Sequence, residues 1–332
     1  MPGLFDPINI RGLSLKNRLV MPPMATGMAT EDGEVTDRHI NHYVTRARGG
    51  VGLIIIEHTY VSEDGKAHKG QLGLYNDTLI SGLKRLVKSI HAEGTKVIIQ
   101  LTHAGAKASR NIIGKQPSGP SEILFPNSSE TPRSLAVPEI EELVVKFGEA
   151  AYRAIEADVD SIELHGAHGF LLCQFLSPYA NQRRDEYGGN LAKRLLFPMD
   201  VVKEVKTRLG KNMPLFYRFG ADDMLEGGLT REEAKLAAQY LEQTGVDVFD
   251  VSGGIGGDGQ KKFTEQGYFV PLAAGIKEAV KVPVIGVGNV TEPEYADRII
   301  RERKVDMVAV GRTLLSNPDF PRKAAQKLGI KV

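Results

Sequence analysis

Eight short apolar runs, spaced so that a helix fits between successive ones, constrain this chain more than any other feature. They fall at Arg18–Met21, Gly52–Glu57, Lys96–Leu101, Ser161–Leu164, Leu215–Phe219, Val248–Val251, Val284–Val287 and Met307–Val310. Leu53-Ile54-Ile55-Ile56 and Val97-Ile98-Ile99 do not alternate polar with apolar residues. Strands buried on both faces of a parallel sheet read this way. Helices are predicted over Thr36–Arg48, Thr78–Glu93, Glu139–Ala157, Leu191–Arg208, Thr230–Gln243, Phe269–Ala279, Glu292–Arg303 and Pro321–Leu328. Pro138 stands just before one start, Thr230-Arg231-Glu232-Glu233 forms a capping box, and Gly94, Gly210 and Gly245 mark ends. Eight strand–helix pairs predict an α/β fold, a (β/α)8 TIM barrel forming one domain over residues 1–332. A doubly wound sheet is the main competitor, but no Gly-x-Gly-x-x-Gly joins an early strand to its helix. Thr102–Val137 and Ser177–Asn190 are long for plain connections, and such βα loops shape barrel active sites.

Composition mainly excludes. A net charge of +1 gives nothing to recruit nucleic acid or an anionic membrane. The single cysteine, Cys173, rules out an internal disulfide and a cysteine-held cluster, and fits a reducing cytoplasm. Met1–Asp6 lacks the basic and apolar regions of a signal peptide, and no apolar run is long enough to cross a membrane.

Barrel enzymes place their chemistry just beyond the C-terminal ends of their strands. Here those positions hold Pro22-Pro23-Met24-Ala25-Thr26, Glu57-His58, Gln100-Leu101-Thr102-His103, His165 and His168, Arg218, Ser252-Gly253-Gly254, Gly288-Asn289, and Gly311-Arg312. Glycines after the last two strands let backbone amides approach a ligand, and Arg312 adds a charge suited to phosphate. Glycine turns alone would carry little weight; their pairing with Arg312 favours a phosphate site. No strand end carries a lysine, which argues against a Schiff-base aldolase. Asp222 and Asp223 are adjacent and read as loop caps rather than a glycosidase pair. Two histidines after one buried strand read as a site; His-x-x-His could supply two zinc ligands, but no third ligand is tied to it. His39 and His42 read as solvated or packing residues of a helix, and His103 as either a site residue or a loop cap. Cys173 reads as a small buried hydrophobe and Lys261-Lys262 as a solvated pair. Phe125 and Phe263 either line the substrate entrance or anchor their own loops.

Several stretches resemble the Old Yellow Enzyme family of FMN-dependent ene-reductases. They are Asn17-Arg18-Leu19-Val20-Met21-Pro22-Pro23-Met24, Gly50–Glu57, Gln100-Leu101-Thr102-His103-Ala104-Gly105, His165–Leu172, Phe175-Leu176-Ser177-Pro178, Arg184–Gly189, and Val310-Gly311-Arg312 followed by Asn317-Pro318. The resemblance spans nearly the whole chain. It lies closest to the bacterial branch that includes the barrel halves of 2,4-dienoyl-CoA and enoate reductases. It implies non-covalent FMN at the barrel mouth and NADH or NADPH as electron donor. Pro22, Pro23, Met24 and Ala25 would line the isoalloxazine, with a backbone amide from His58. Gln100 would meet the pyrimidine edge and Arg218 the N1/O2 side. Ser252, Gly253 and Gly254 would add to the cofactor site, and Gly288, Asn289, Gly311 and Arg312 would hold the phosphate. His165 and His168 would grip the carbonyl oxygen of an activated alkene, an enone or enoate, as hydride reaches its β-carbon. No metal is expected; a homo-oligomer is compatible with the resemblance.

The chain departs from the family at telling places. Phe170 stands where most members have the tyrosine that protonates the α-carbon, so the proton must come from water or another group. Ala25 replaces a cysteine and Gly27 a substrate-contacting tyrosine of one branch, which implies a wider pocket. Tyr268 is a further substrate-pocket candidate. That branch also uses an arginine-bearing tail reaching into a neighbouring subunit, and Gly329–Val332 lacks it. The leading expectation is reduction of a C=C bond conjugated to a carbonyl. Electron transfer to quinone or oxygen, which needs no acid at Phe170, is the alternative within the class. A metal-dependent barrel hydrolase and a flavin-binding protein with little catalysis stand further off.

Overall fold

The computed structural model describes residues 1–126, 128–257 and 264–331. Eight parallel strands close into a barrel: β1 (Leu19–Met21), β2 (Leu53–Tyr60), β3 (Lys96–Thr102), β4 (Ser161–Gly166), β5 (Leu215–Gly220), β6 (Val248–Ser252), β7 (Val284–Gly286) and β8 (Met307–Ala309). Each strand pairs with the next, and β8 returns to β1 through Val308–Leu19 and Ala309–Val20. The principal outer helices are α1 (Asp37–Arg48), α2 (Ile80–His91), α3 (Val137–Glu156), α4 (Leu196–Leu209), α5 (Arg231–Thr244), α6 (Val270–Ala279), α7 (Pro293–Arg301) and α8 (Phe320–Lys327). The (β/α)8 expectation therefore holds.

The unbroken apolar runs serve two cores at once. Ile54 and Ile56 pack outward in the large cluster shared with the helices, while Leu53 and Ile55 pack inside the barrel with Val20, Ile98, Phe216, Val248, Ile285 and Met307. An antiparallel hairpin, Ile8–Ile10 with Leu13–Leu15, adds Ile10, Leu13 and Leu15 to that inner cluster. Its turn residues Arg11 and Gly12 both have positive φ (45° and 87°), the two-residue turn that matches strand twist. The predicted helix Leu191–Arg208 is instead broken at Leu195 into Leu191–Arg194 and α4. Pro198 explains the break, because it has no N–H to bond back to Arg194.

Among the described residues no helix is long and apolar enough to cross a membrane. Phe263 and the Lys261-Lys262 pair lie outside the described residues. Phe125 anchors its own loop, buried against Ala106, Cys173, Ala180 and Ile255. Cys173 itself is buried in the short helix Leu171–Leu176.

Candidate active site

Residues two apart on a strand share a face, so each inward position repeats one step higher up the barrel. Above Ile98 in β3 comes Gln100, above Phe216 in β5 comes Arg218, and above Val248 in β6 comes Asp250. Glu163 in β4 lies beside Gln100 in register. The upper barrel is thus a buried polar layer where the lower barrel is apolar. Gln100 Nε2 donates to Glu163 Oε1 at 2.8 Å, and Arg218 Nη1 pairs with Asp250 Oδ2. The Glu163 and Asp250 carboxyls lie within hydrogen-bonding range of each other, and burial pushes both upward, Glu163 well above the usual carboxylate range. Gln100 Oε1 and Arg218 Nε have no protein partner.

One further step up, His165 in β4 and Ser252 in β6 stand at the strand ends. His165 Nε2 lies 3.1 Å from His168 Nδ1. The far nitrogen of each ring meets a hydroxyl: Thr102 Oγ1 at 3.3 Å from His165 Nδ1, and Ser252 Oγ at 2.7 Å from His168 Nε2. Burial first, then the positive fields of His168, His58, Arg218 and Lys107, hold His165 well below the usual histidine value. It is therefore neutral at pH 7. His168 sits at φ 55°, fixed from both sides: its N–H donates to Gly253 O at 3.2 Å and its carbonyl accepts from Lys107 Nζ at 2.9 Å. Phe170 stacks on His165, with ring centroids 4.2 Å apart and planes at 28°.

These groups wall a cavity of about 620 Å³ at the barrel mouth. Among the residues singled out from sequence, Pro22, Pro23, Met24, Ala25, His58, Gln100, His165, His168, Phe170, Arg218, Ser252, Tyr268, Gly288, Asn289, Gly311 and Arg312 all line it. Gly27, Gly253 and Gly254 do not. Gly27 packs on Gly70, where a Cβ would meet its carbonyl, and Gly254 fits against Asp223. Gly253 reaches the site indirectly, through its carbonyl on His168. His103 is a loop cap: it is buried, and its Nδ1 accepts from Gly105 N at 3.0 Å. Asp223 is also a cap, accepting from Leu229 N and Ile255 N.

Sequence reasoning passed over Lys107, Glu163, Asp250 and the pair His39–Glu57. Lys107 lies in the loop after β3, with Nζ 5.0 Å from the centroid of the Phe170 ring. A register shift between Ile56 and Thr59 turns Glu57 toward α1, while His58 lines the cavity. There Glu57 Oε1 meets His39 Nε2 at 2.9 Å and accepts from Thr26 Oγ1 at 2.6 Å, and Oε2 accepts from Thr26 N. His39 is thus a buried partner of Glu57, not a solvated residue. Burial alone would raise this carboxyl, but the bonds from His39 and Thr26 outweigh it and hold it below its usual value. Glu57 thereby fixes the Ala25–Thr26 segment at the cavity wall. In Glu57→Ala each buried donor left without a partner costs about 1–3 kcal/mol, so the variant melts several degrees lower by calorimetry. Because the folded carboxyl titrates below the unfolded one, its stabilisation is present above about pH 4.3 and fades as pH falls through the lowered value.

A barrel mouth with phosphate-suited glycines and an arginine after β7 and β8, and a polar layer offering an acceptor and a cation, has the lining that a phosphate-bearing heterocyclic cofactor requires. The chain belongs to the NADH:flavin oxidoreductase / NADH oxidase family, whose model it matches over residues 3–330. It is 45% identical to an NADH oxidase of Thermoanaerobacter brockii, matching over 98% of this chain but 51% of that protein. The chain thus spans about half of that relative. It is 40% identical to an NADPH dehydrogenase of Listeria monocytogenes over 99% of this chain and 96% of the relative. The Old Yellow Enzyme homologue of Zymomonas mobilis superposes with a TM-score of 0.86 at 28% identity, covering 99% of this chain and 94% of the other.

FMN is the cofactor of this family, and the polar layer fits it. The pyrimidine ring of the flavin offers an N–H and carbonyl oxygens. Gln100 Oε1 is an acceptor without a donor, and Arg218 keeps donor capacity beyond its bond to Asp250. At the other side of the cavity, Gly288 has φ 127°, and a Cβ there would meet the backbone nitrogens of Tyr268 and Phe269 at 2.9 Å, so only glycine is accommodated.

Proposed function

We propose that the chain is an FMN-dependent NAD(P)H oxidoreductase that reduces C=C bonds conjugated to a carbonyl, acting as one barrel domain. The observation that carries this reading is the meeting of His165 Nε2 and His168 Nδ1, 3.1 Å apart, at the wall of the cavity. Two nitrogens so placed can both donate to a single oxygen. The hydroxyls of Thr102 and Ser252 make this feasible, since a hydroxyl can donate to the far nitrogen of each ring and leave the near one protonated. FMN held here would supply the hydride chemistry, with NADH or NADPH as donor and the β-carbon as acceptor. The histidine pair stabilises the enolate charge on the carbonyl oxygen. Pro22, Pro23, Met24, Ala25 and the His58 amide bound the ring system, Gln100 and Arg218 meet its pyrimidine side, and Gly288, Asn289, Gly311 and Arg312 hold the phosphate. Tyr268, which lines the cavity, belongs to the surroundings of the substrate. The buried thiol of Cys173 suits a cytoplasmic setting.

Phe170 favours a second acceptor class. With no proton to give, it is compatible with electron transfer to quinones, and the NADH oxidase name of one relative points the same way.

The deciding experiment is anaerobic reoxidation of the reduced flavoprotein, with cyclohexenone compared against a quinone. Faster reoxidation with the enone than in buffer supports the reading; none sinks it. A colourless purified protein carrying zinc would overturn the flavin assignment. Gln100→Leu is expected to weaken FMN binding about tenfold to a hundredfold in a fluorescence titration, because Glu163 Oε1 also loses its donor.

A further inference from the structure

Four charged or amide side chains from neighbouring strands meet under the cavity: Gln100, Glu163, Arg218 and Asp250. Each is at most a few per cent exposed. The pairing is nearly complete. Glu163 Oε1 takes the Gln100 amide, and Asp250 Oδ2 takes Arg218. The remaining oxygens, Glu163 Oε2 and Asp250 Oδ1, have no N–H or hydroxyl donor, yet the two carboxyls lie within hydrogen-bonding range of each other. Two bare carboxylates would repel there, with one arginine to offset two charges. A single proton shared between the two carboxyls relieves that repulsion.

We propose that Glu163 is a resident neutral carboxylic acid, its Oε2–H donated to Asp250, and that it positions Gln100 and sets the charge beneath the cofactor. The proton belongs on Glu163 rather than Asp250, because Asp250 has the guanidinium and Glu163 has only an amide. Burial and the Asp250 charge push the same way and outweigh the opposing fields of Arg218 and the Gln100 amide. The chain of bonds is then directional. Arg218 donates to Asp250, the Glu163 hydroxyl donates to Asp250, and the Glu163 carbonyl accepts from Gln100 Nε2. That last bond leaves Gln100 Oε1 as the acceptor for the flavin N–H. It also leaves Arg218 and Asp250 as a neutral pair. An ionised Glu163 would add a net negative charge under a ring that becomes anionic when reduced.

The inference rests on Gln100 and Arg218 meeting the pyrimidine side of FMN, as proposed above. Failure of that contact is read separately, by the FMN affinity of Gln100→Leu. The proton is read by infrared spectroscopy of the full chain, with FMN bound and after its removal. A protonated-carboxyl C=O band, shifted in heavy water, is expected in both forms of the wild type and absent from Glu163→Gln. An amide can copy the acid, its NH₂ donating to Asp250 and its oxygen accepting from Gln100. Glu163→Gln is therefore expected to bind FMN within about twofold of wild type and to keep its midpoint potential from pH 6 to 9, whereas Glu163→Ala loses about tenfold or more in affinity. Asp250→Asn removes a real charge and raises the potential. Absence of the band from the wild-type protein overturns the proposal even if no variant folds. So does a potential that rises in Glu163→Gln as it does in Asp250→Asn.

Discussion

Replacing His165 by Ala and His168 by Ala together lowers enone-dependent reoxidation of the reduced flavin by about a thousandfold, while NAD(P)H still reduces the flavin. Loss of one preorganised donor to a developing oxyanion typically costs about 10²–10³ in rate. In the proposed reaction the two rings, with nitrogens 3.1 Å apart, act on one oxygen, so their losses will not multiply. His168→Asn is the informative companion. His168 has φ 55°, a conformation that asparagine tolerates better than other non-glycine residues. Asparagine also retains an N–H donor, whereas alanine keeps neither advantage. We expect His168→Asn to recover at least about tenfold of the rate lost in His168→Ala. Because His165 is held neutral by burial, its donor strength does not change between pH 6 and 8, and the oxidative rate shows no inflection from it there. Stopped-flow absorbance of the flavin separates the two half-reactions. Equal slowing of both would show that the histidines serve the cofactor's binding rather than the carbonyl oxygen.

Much of this site was legible because barrel topology turns strand order into position. Once the eight runs were recognised, the strand-end residues had to converge, and His165, His168, Arg218, Gly288 and Arg312 do line one cavity. The losses have particular causes. Glu163 and Asp250 stand in plain view inside apolar runs, but an apolar run does not say which alternate residues face inward. Only the closed register puts Glu163 beside Gln100 and Asp250 beside Arg218. A charged residue within a strand buried on both faces was the signal that could have found them. Glu57 was read as a strand end, and the register shift that sends it to His39 leaves no mark in a single sequence. The hairpin Ile8–Ile10 with Leu13–Leu15 was missed for another reason. Its strands are three residues each, and its turn uses Arg11 at positive φ where asparagine or glycine would have given it away. Gly253 and Gly254 looked like a ligand cradle, since glycine turns for packing and for phosphate have the same composition.

Introducing a hydroxyl at position 170 accelerates reduction of poorly activated alkenes by about a hundredfold, the lower end of what a positioned acid supplies. In the wild-type protein Phe170 is 7% exposed, lines the cavity and stacks on His165 at 4.2 Å. The ring is thus held close to His165, the proposed carbonyl-binding group, and a tyrosine can keep the same stack. Lys107 strengthens the expectation. Its Nζ lies 5.0 Å from the ring centroid, and a cation at that range favours phenolate over phenol, which makes the new hydroxyl a better acid. Solvent must serve as the proton source where no side-chain acid is placed, so reduction in heavy water labels the α-carbon of the wild-type product without strong facial preference. Phe170→Tyr is expected to label one face. The reductive half-reaction, which needs no acid, stays within about twofold. If Phe170→Tyr changes neither the rate with a poor enone nor the facial preference, position 170 is not where an acid was lost. A rate that rises without a change in facial preference would assign the gain to the His165 stack rather than to proton delivery. Lys107 also holds the His168 carbonyl, so Lys107→Met is made both alone and in the Phe170→Tyr background: relative to Lys107→Met alone, a phenol acting as the acid loses part of its gain with the cation gone, and a stacking effect keeps it.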